Sequence, residues 1–214
     1  DAVFVYQTRP VSNILENEPY MNEGQIKRKI ATGQSHEVLR NKIISRNNEK
    51  LRLLSEQISE ITGTKAKFIE PTPRKKNEDE YIDLEIEMDD RKTNLYLQGS
   101  GFLQIAEILS TIEYIDAPLN ILLVDEPDSH IHIKIQRLLL QYLRKITSNQ
   151  IFLISHNDSF VSQAQEDEIF FLSKDRKAGG LLEHIQVEDV GILKNELGGV
   201  IIGLERLNEA RKIF

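Results

Sequence analysis

The chain contains no cysteine and no tryptophan. Without cysteine, neither a disulfide framework nor a cysteine-based zinc site can form. The lack of thiols fits a reducing compartment, and we expect a cytoplasmic protein. No apolar run approaches the ~20 residues of a membrane-spanning helix, so no membrane association is expected. The opening sequence, Asp-Ala-Val-Phe-Val, lacks the basic start and the long apolar stretch of a signal peptide.

The composition is that of an ordinary globular protein. The 214 residues are 40% hydrophobic and 29% charged, which suits one domain, or one domain with a helical insertion. The formal net charge is −7, whereas a domain built mainly to coat nucleic acid is usually basic. Any contact with DNA is therefore expected to be local, or to depend on parts of the protein outside this sequence.

The N-terminal part is expected to hold a strand, a loop and a long helical segment. A strand is predicted at residues 2–6, and the Pro- and Asn-rich segment 9–23 is predicted as loop. Ser35 is expected to cap a helical stretch that runs to Gly63. Its opposite face is polar, so we expect a helical arm. The apolar stripe has helical spacing and comprises Leu39, Ile43, Ile44, Leu51, Leu54, Ile58 and Ile61.

In the middle of the chain, apolar residues recur at every second position, the spacing of a β-strand. A short strand is predicted at residues 65–69, and a charged, Pro-containing connector follows at 71–80. Apolar and acidic side chains alternate from Tyr81 to Met88, and residues 93–97 return after an Asp-Asp-Arg-Lys turn. This pattern predicts a β-hairpin.

Buried strands and helices alternate from Gly99 onward, which indicates a parallel sheet with helices on its faces. The predicted fold class is α/β, a mostly parallel sheet flanked by helices, with an antiparallel hairpin and a long helical arm. We expect an N-terminal strand and loop at 1–34, the arm at 35–63 and a C-terminal lobe at 64–214. Helices are predicted at 102–115, 131–146, 159–163 and 200–213, and strands at 120–124, 150–154, 168–172 and 181–187.

The strongest motif is an acidic pair directly after a buried strand. Four apolar residues, 121–124, precede Asp125, Glu126 and Pro127. In open α/β sheets, ligands bind at the carboxyl ends of the strands. One carboxylate there can hold Mg²⁺ through water, and the next can polarise an attacking water molecule. This is the Walker B pattern with a catalytic glutamate; the alternative is a strand that ends in an acidic turn.

Two further segments are suited to phosphate. The strand at 150–154 is followed by Ser155 and His156, and a neutral histidine there can donate a hydrogen bond to a γ-phosphate. The turn Gly99-Ser100-Gly101 opens a helix, whose free backbone N–H groups favour an anion. Each has a plain alternative, a surface histidine in the first case and a capped glycine turn in the second.

Together, in this order and spacing, the three segments resemble the ABC ATPase superfamily of AAA-type P-loop NTPases. The likeness is greatest to the branch of OLD-family nuclease-linked ATPases and RecF- or SMC-like heads. Residues 125–132, Asp-Glu-Pro-Asp-Ser-His-Ile-His, are similar to its Walker B and D-loop stretch. Residues 99–102 resemble its signature motif, with Phe102 where transporters have a second glycine, which argues against a transporter subunit.

The resemblance implies ATP and Mg²⁺ as cofactors and assigns a role to each motif residue. Asp125 would bind Mg²⁺, Glu126 would be the general base and His156 the switch histidine. The signature residues and the D-loop aspartate would contact a nucleotide held by a second head, in a homodimer that sandwiches two nucleotides. The branch works in DNA maintenance and phage defence. The residues concerned are Gly99, Ser100, Gly101, Gln104 and Asp128.

The sequence shows no Gly-x-x-x-x-Gly-Lys-Ser/Thr loop, the Walker A motif that cradles phosphates. The sequence is either a C-terminal piece, a head whose N-terminal lobe is missing, or a head that has lost ATPase function. The rival functions are a catalytically inactive scaffold that binds a partner, and a metal-dependent hydrolase. The hydrolase would use His130 and His132 with the acidic pair, but residues two apart on a helix do not share a face. We therefore interpret both histidines as D-loop and packing residues.

Overall fold

The computed structural model describes residues 2–5, 17–69, 71, 79–115, 120–146, 149–155 and 157–164. The chain divides into two compact units, residues 1–154 and 155–214. The strands are β1 Ala2–Val5, β2 Ala66–Ile69, β3 Glu85–Met88, β4 Arg91–Asn94, β5 Asn120–Asp125 and β6 Asn149–Ile154. The helices are α1 Glu23–Ala31, α2 Leu39–Ile44, α3 Asn48–Thr62, α4 Ser100–Tyr114, α5 Ile133–Arg144 and, in the second unit, α6 Asp158–Val161.

Three strands of the first unit form a parallel sheet in the order β1-β5-β6. Val5 pairs with Val124, and Asp125 pairs with Ile154, so the carboxyl ends of all three strands lie at one edge. The prediction of a parallel sheet is confirmed for these strands. The apolar residues of β5 suit its central place between β1 and β6, and Leu122 and Val124 are buried in the core.

The predicted hairpin is confirmed, with a tighter turn and shorter strands. β2, β3 and β4 form an antiparallel sheet in that order. Asp89 and Asp90 make the turn with φ values of 48° and 64°. Two left-handed residues in succession match the twist of a two-residue hairpin loop. The return strand stops at Asn94, whose side chain accepts a hydrogen bond from the Tyr96 amide (3.3 Å) and opens a 3₁₀ turn.

The prediction of a single helix from residue 35 to 63 is wrong, because the segment contains a break. A 3₁₀ turn at Ser35–Val38 leads into α2, and α3 begins anew where the Asn47 side chain accepts from the Lys50 amide (2.9 Å). Gly63 ends α3 in the left-handed conformation, with φ 71°. α3 packs against β2, α4 and α5. The division of the chain at residues 34 and 63 remains a prediction.

The loop predicted at residues 9–23 is followed directly by α1, Glu23–Ala31, a helix that was not predicted within residues 1–34. Asn22 and Gln25 form a capping box, in which each side chain accepts from the other residue's backbone amide at 2.9 Å. Such reciprocal capping satisfies two amides that a helix start leaves unpaired. Ile26 and Ile30 of α1 are buried in the core.

A buried polar network joins α2 to α4. Lys42 is fully buried, and its ammonium group donates to Glu107 Oε2 (2.7 Å), Ser35 Oγ (2.8 Å) and Thr111 Oγ1 (2.8 Å). Burial lowers the pKa of Lys42, and the Glu107 carboxylate opposes that shift. Because an ammonium group has three protons, these three acceptors satisfy it completely. Arg46 adds an ion pair with Glu113, near the C-terminal end of α4.

The strands predicted at 168–172 and 181–187 and the helix predicted at 200–213 lie outside the described residues. Within the described part of the chain, no helix is long and apolar enough to cross a membrane.

Candidate functional site

The acidic pair lies at the carboxyl edge of the parallel sheet, as predicted. Asp125 is the last residue of β5 and pairs with Ile154 of β6. Glu126 follows with φ 45°, and its amide donates to the Ile154 carbonyl oxygen (2.7 Å). A left-handed backbone costs a non-glycine residue roughly 1–2 kcal/mol, so the surrounding contacts must offset that cost. Strained residues of this kind cluster at functional sites.

Ser129 fixes the Glu126 carboxylate. The Ser129 hydroxyl donates to Glu126 Oε2 (3.1 Å), and the Ser129 amide donates to the Glu126 carbonyl oxygen (3.2 Å). The two bonds close a tight turn directly after β5 and restrict the rotamers of the glutamate. We call residues 126–132 the acidic turn.

The far side of the acidic turn is held by Gln136, on the first turns of α5. Gln136 is buried, and its Nε2 donates to the carbonyl oxygens of Ile131 (2.9 Å) and Asp128 (3.2 Å). Asp128 is itself buried, and its carbonyl oxygen also accepts from the Ile131 amide (3.1 Å). Sequence reasoning missed both Ser129 and Gln136. The signal for Gln136 was a polar residue on the buried face of an amphipathic helix.

The predicted signature segment meets the acidic turn through one glycine. Gly101 lies in the first turn of α4, and a β-carbon there would stand 2.8 Å from the His130 carbonyl oxygen. Only glycine allows this approach of two backbones. At Gly99, by contrast, a β-carbon would meet nothing within 4 Å. The glycine at 101 is thus explained by a protein contact, which the sequence alone did not reveal.

The N-terminus of α4 is exposed. Gly99 is the N-cap, and no side chain of the described residues caps the helix. Ser100 is exposed, while Gln104 is buried one turn later. The first amides of a helix point along its axis and attract anions when no side chain occupies them.

His130 and His132 lie in the acidic turn and are exposed. His132 is the N-cap of α5, and its Nδ1 accepts from the Lys134 amide (3.3 Å). Among the described residues, no three His, Asp or Glu side chains come together as metal ligands. The two histidines and the acidic pair, all of them described, therefore do not form the metal cluster of the hydrolase hypothesis. His156 lies outside the described residues, and its role stays a prediction.

Two solved structures share the fold. One, described as "Structural biochemistry of ATP-driven dimerization and DNA stimulated activation of SMC ATPases", has 17% identity and a TM-score of 0.51, over 76% of this chain and 96% of that chain. The other is the Smc head domain with a coiled coil and joint from Pyrococcus yayanosii, with 18% identity and a TM-score of 0.50. It is matched over 81% of this chain but only 33% of its own.

At these identities the likeness shows the fold alone, that of SMC ATPase heads. No curated protein matches the chain. A family model described as "AAA domain, putative AbiEii toxin, Type IV TA system" matches residues 9–162, well over half of the sequence. The chain belongs to this family of AAA domains.

Proposed function

We propose that this chain is the C-terminal half of an ABC-type ATPase head of the OLD-, RecF- and SMC-like branch. It binds and hydrolyses ATP when a segment with a Walker A loop completes it. The observation that supports this best is the position of Glu126, whose carboxylate is held by Ser129 at the edge of a parallel sheet. A strained backbone and a fixed carboxylate suit a residue that must meet a reacting water molecule in one orientation.

Asp125 and Glu126 have separate roles in this proposal, one in binding Mg²⁺ and the other in activating water. Mg²⁺ is usually held by one or two carboxylates together with substrate phosphates, so this donor set fits it without a cage of protein ligands. Asp125 would hold the ion, which when bound neutralises charge on the phosphates. Glu126 would accept a proton from the water that attacks the γ-phosphorus, while the bond to the leaving ADP oxygen breaks.

The N-terminus of α4 would bind the γ-phosphate of a nucleotide held by a second head. Its exposed Ser100 and the absence of a capping side chain support this assignment. In this arrangement Gly99, Ser100, Gly101, Gln104 and Asp128 form or support the contact with the partner's nucleotide.

Two assignments rest on the sequence pattern. His156, which follows β6 by two positions in the sequence, would be the switch histidine that senses the γ-phosphate. The division into an N-terminal strand and loop (1–34), a helical segment (35–63) and a C-terminal lobe (64–214) is proposed on the same basis.

The biological setting proposed is DNA maintenance or phage defence in the cytoplasm. The family description names a putative toxin of type IV toxin–antitoxin systems, and the description of one similar structure names DNA-stimulated activation of SMC ATPases. The net charge of −7 supports a local DNA contact rather than a broad one. A duplex that raises ATP turnover in a salt-dependent manner would support this part of the proposal.

Mg-ATP binding and turnover test the proposal, measured on this chain alone and together with its Walker A-containing complement or in the full-length protein. We expect a silent chain alone and turnover only with the complement. If the complemented protein neither binds nor hydrolyses ATP, the motifs are vestigial. The alternative, a catalytically inactive head-like scaffold, would then replace the proposal.

A further inference from the structure

The acidic turn is held from two sides, by Gly101 of the predicted signature segment and by Gln136 of α5, which belongs to none of the predicted motifs. On one side Gly101 of α4 touches the His130 backbone, and on the other the Gln136 amide of α5 binds two carbonyl oxygens of the turn. Two residues of the turn are left-handed, Glu126 with φ 45° and His130 with φ 60°. Such a backbone persists only where surrounding contacts over-determine it.

The side-chain Nε2 of Gln136 donates only to the acidic turn among the described residues. The residue is only 4% exposed, and its Nε2 makes both bonds, at 3.2 Å to Asp128 O and 2.9 Å to Ile131 O. Among the described residues, no donor reaches the buried Oε1 of the same side chain. The Gln136 side chain thus makes two bonds to the turn through Nε2 while its oxygen has no donor, so the turn sets the orientation of this amide. The packing of α5 alone does not require a glutamine here, because an apolar side chain of the same size would also fill the space.

A short chain of contacts leads from Gln136 to the reacting group. Gln136 fixes the carbonyl of Asp128, the next residue is Ser129, and the Ser129 hydroxyl donates to Glu126 Oε2 (3.1 Å). A shift of the Asp128–Ile131 segment would therefore move the Ser129 hydroxyl away from the glutamate. The Glu126 backbone would stay anchored through its own bond to Ile154 (2.7 Å).

From this geometry we infer that Gln136 is a positioning residue for hydrolysis, which sets the rotamer of Glu126 through the acidic turn and Ser129. It does not touch nucleotide. The inference rests on the proposed function, in which Glu126 is the general base. It predicts that loss of the Gln136 amide lowers the rate of the chemical step and leaves nucleotide affinity nearly unchanged.

The test compares Gln136→Leu with Gln141→Leu in the full-length protein. Both residues lie on α5, and Gln141 is exposed, so the second variant is a matched control. For Gln136→Leu we expect kcat to fall at least about tenfold, while the KM for ATP changes less than about twofold. We also expect faster hydrogen exchange at the Ser129 and Ile131 amides alone. The Gln141 variant should match the wild type in all three measurements.

Ser129→Ala keeps the inference testable if Gln136→Leu does not fold. This variant removes only a hydroxyl and should lower kcat in the same way with KM preserved. Where both variants fold, the double variant should be no slower than the worse single one, because both act through the same carboxylate.

The outcomes separate the two proposals. Faster exchange in the turn with unchanged kcat would overturn the positioning role and leave ATP hydrolysis standing. A fall in kcat with an equal loss of nucleotide binding would also overturn it. A wild-type protein that binds no ATP would instead remove the proposed function itself, and the positioning role with it.

Discussion

Gly101 lies directly against the backbone of His130: a β-carbon at residue 101 would stand 2.8 Å from the His130 carbonyl oxygen. That distance is too short for a normal contact, and the atom it meets belongs to the backbone, which cannot rotate away. The helix that carries the predicted signature segment is therefore in contact with the turn that follows the acidic pair.

Gly101→Ala should separate α4 from the acidic turn. We expect the free energy of unfolding to fall by about 1–3 kcal/mol, the usual cost of overpacking. Chemical denaturation measures it, and Gly99→Ala is the control, because a β-carbon there meets nothing within 4 Å. Alanine at this N-cap position should cost less than about 1 kcal/mol. Equal effects of the two substitutions would contradict the contact.

The buried ion pair of Lys42 and Glu107 leads to a second prediction, on the free energy of unfolding. Lys42→Met leaves a buried carboxylate without its partner and should cost about 3–5 kcal/mol of unfolding free energy. Lys42→Met with Glu107→Leu should cost clearly less than the sum of the single changes, because no charge then remains buried. Lys27→Met, which removes the exposed i,i+4 pair with Glu23, is the control and should have no measurable effect. Additive single effects at residues 42 and 107 would refute the coupling.

Tyr142 gives a prediction for alkaline pH. Burial, with Glu113 and Glu60 adding to it, raises the pKa of Tyr142 from 10.0 to about 12. The folded protein thus keeps a proton that the unfolded chain loses. The resulting contribution to stability is complete below pH 10 and disappears as the pH rises towards 12.

Absorbance of tyrosinate measures this titration. The difference between the spectra of the wild type and of Tyr142→Phe should titrate near pH 12, provided that the protein remains folded. A midpoint at the ordinary value of 10.0 would show that this hydroxyl is not shielded from water.

Much of the sheet could be predicted because its signals are local. The short apolar run before Asp125 favours a buried strand, and a carboxylate after such a strand is expected at the carboxyl edge of a parallel sheet. The signal for the hairpin turn is also local, because Asp89 and Asp90 interrupt a clear alternation of apolar and polar residues. Helix α4 was predicted to within two residues because its apolar residues and Gly99 mark both the face and the start.

Breaks and long-range contacts could not be predicted in the same way. The apolar stripe of residues 39–61 continues across the interruption between α2 and α3, so periodicity alone indicated one helix. The capping box of Asn22 and Gln25 was present in the sequence, but the surrounding loop residues obscured it. Lys42 bonds Glu107 and Thr111 from a distant segment, whereas Gln136 bonds backbone carbonyl oxygens, which carry no sequence signal. No local pattern reveals that Gly101 must approach His130.

The central claim is that Glu126 is the base that activates water for ATP hydrolysis. Glu126→Gln keeps the shape of the side chain and an oxygen acceptor, but it cannot take up a proton at neutral pH. The most direct measurement is single-turnover hydrolysis of ATP by the full-length variant, together with its nucleotide affinity. We predict a rate at least about a hundredfold lower than that of the wild type, with ATP bound at least as tightly. A variant that hydrolyses ATP at the wild-type rate would contradict the account.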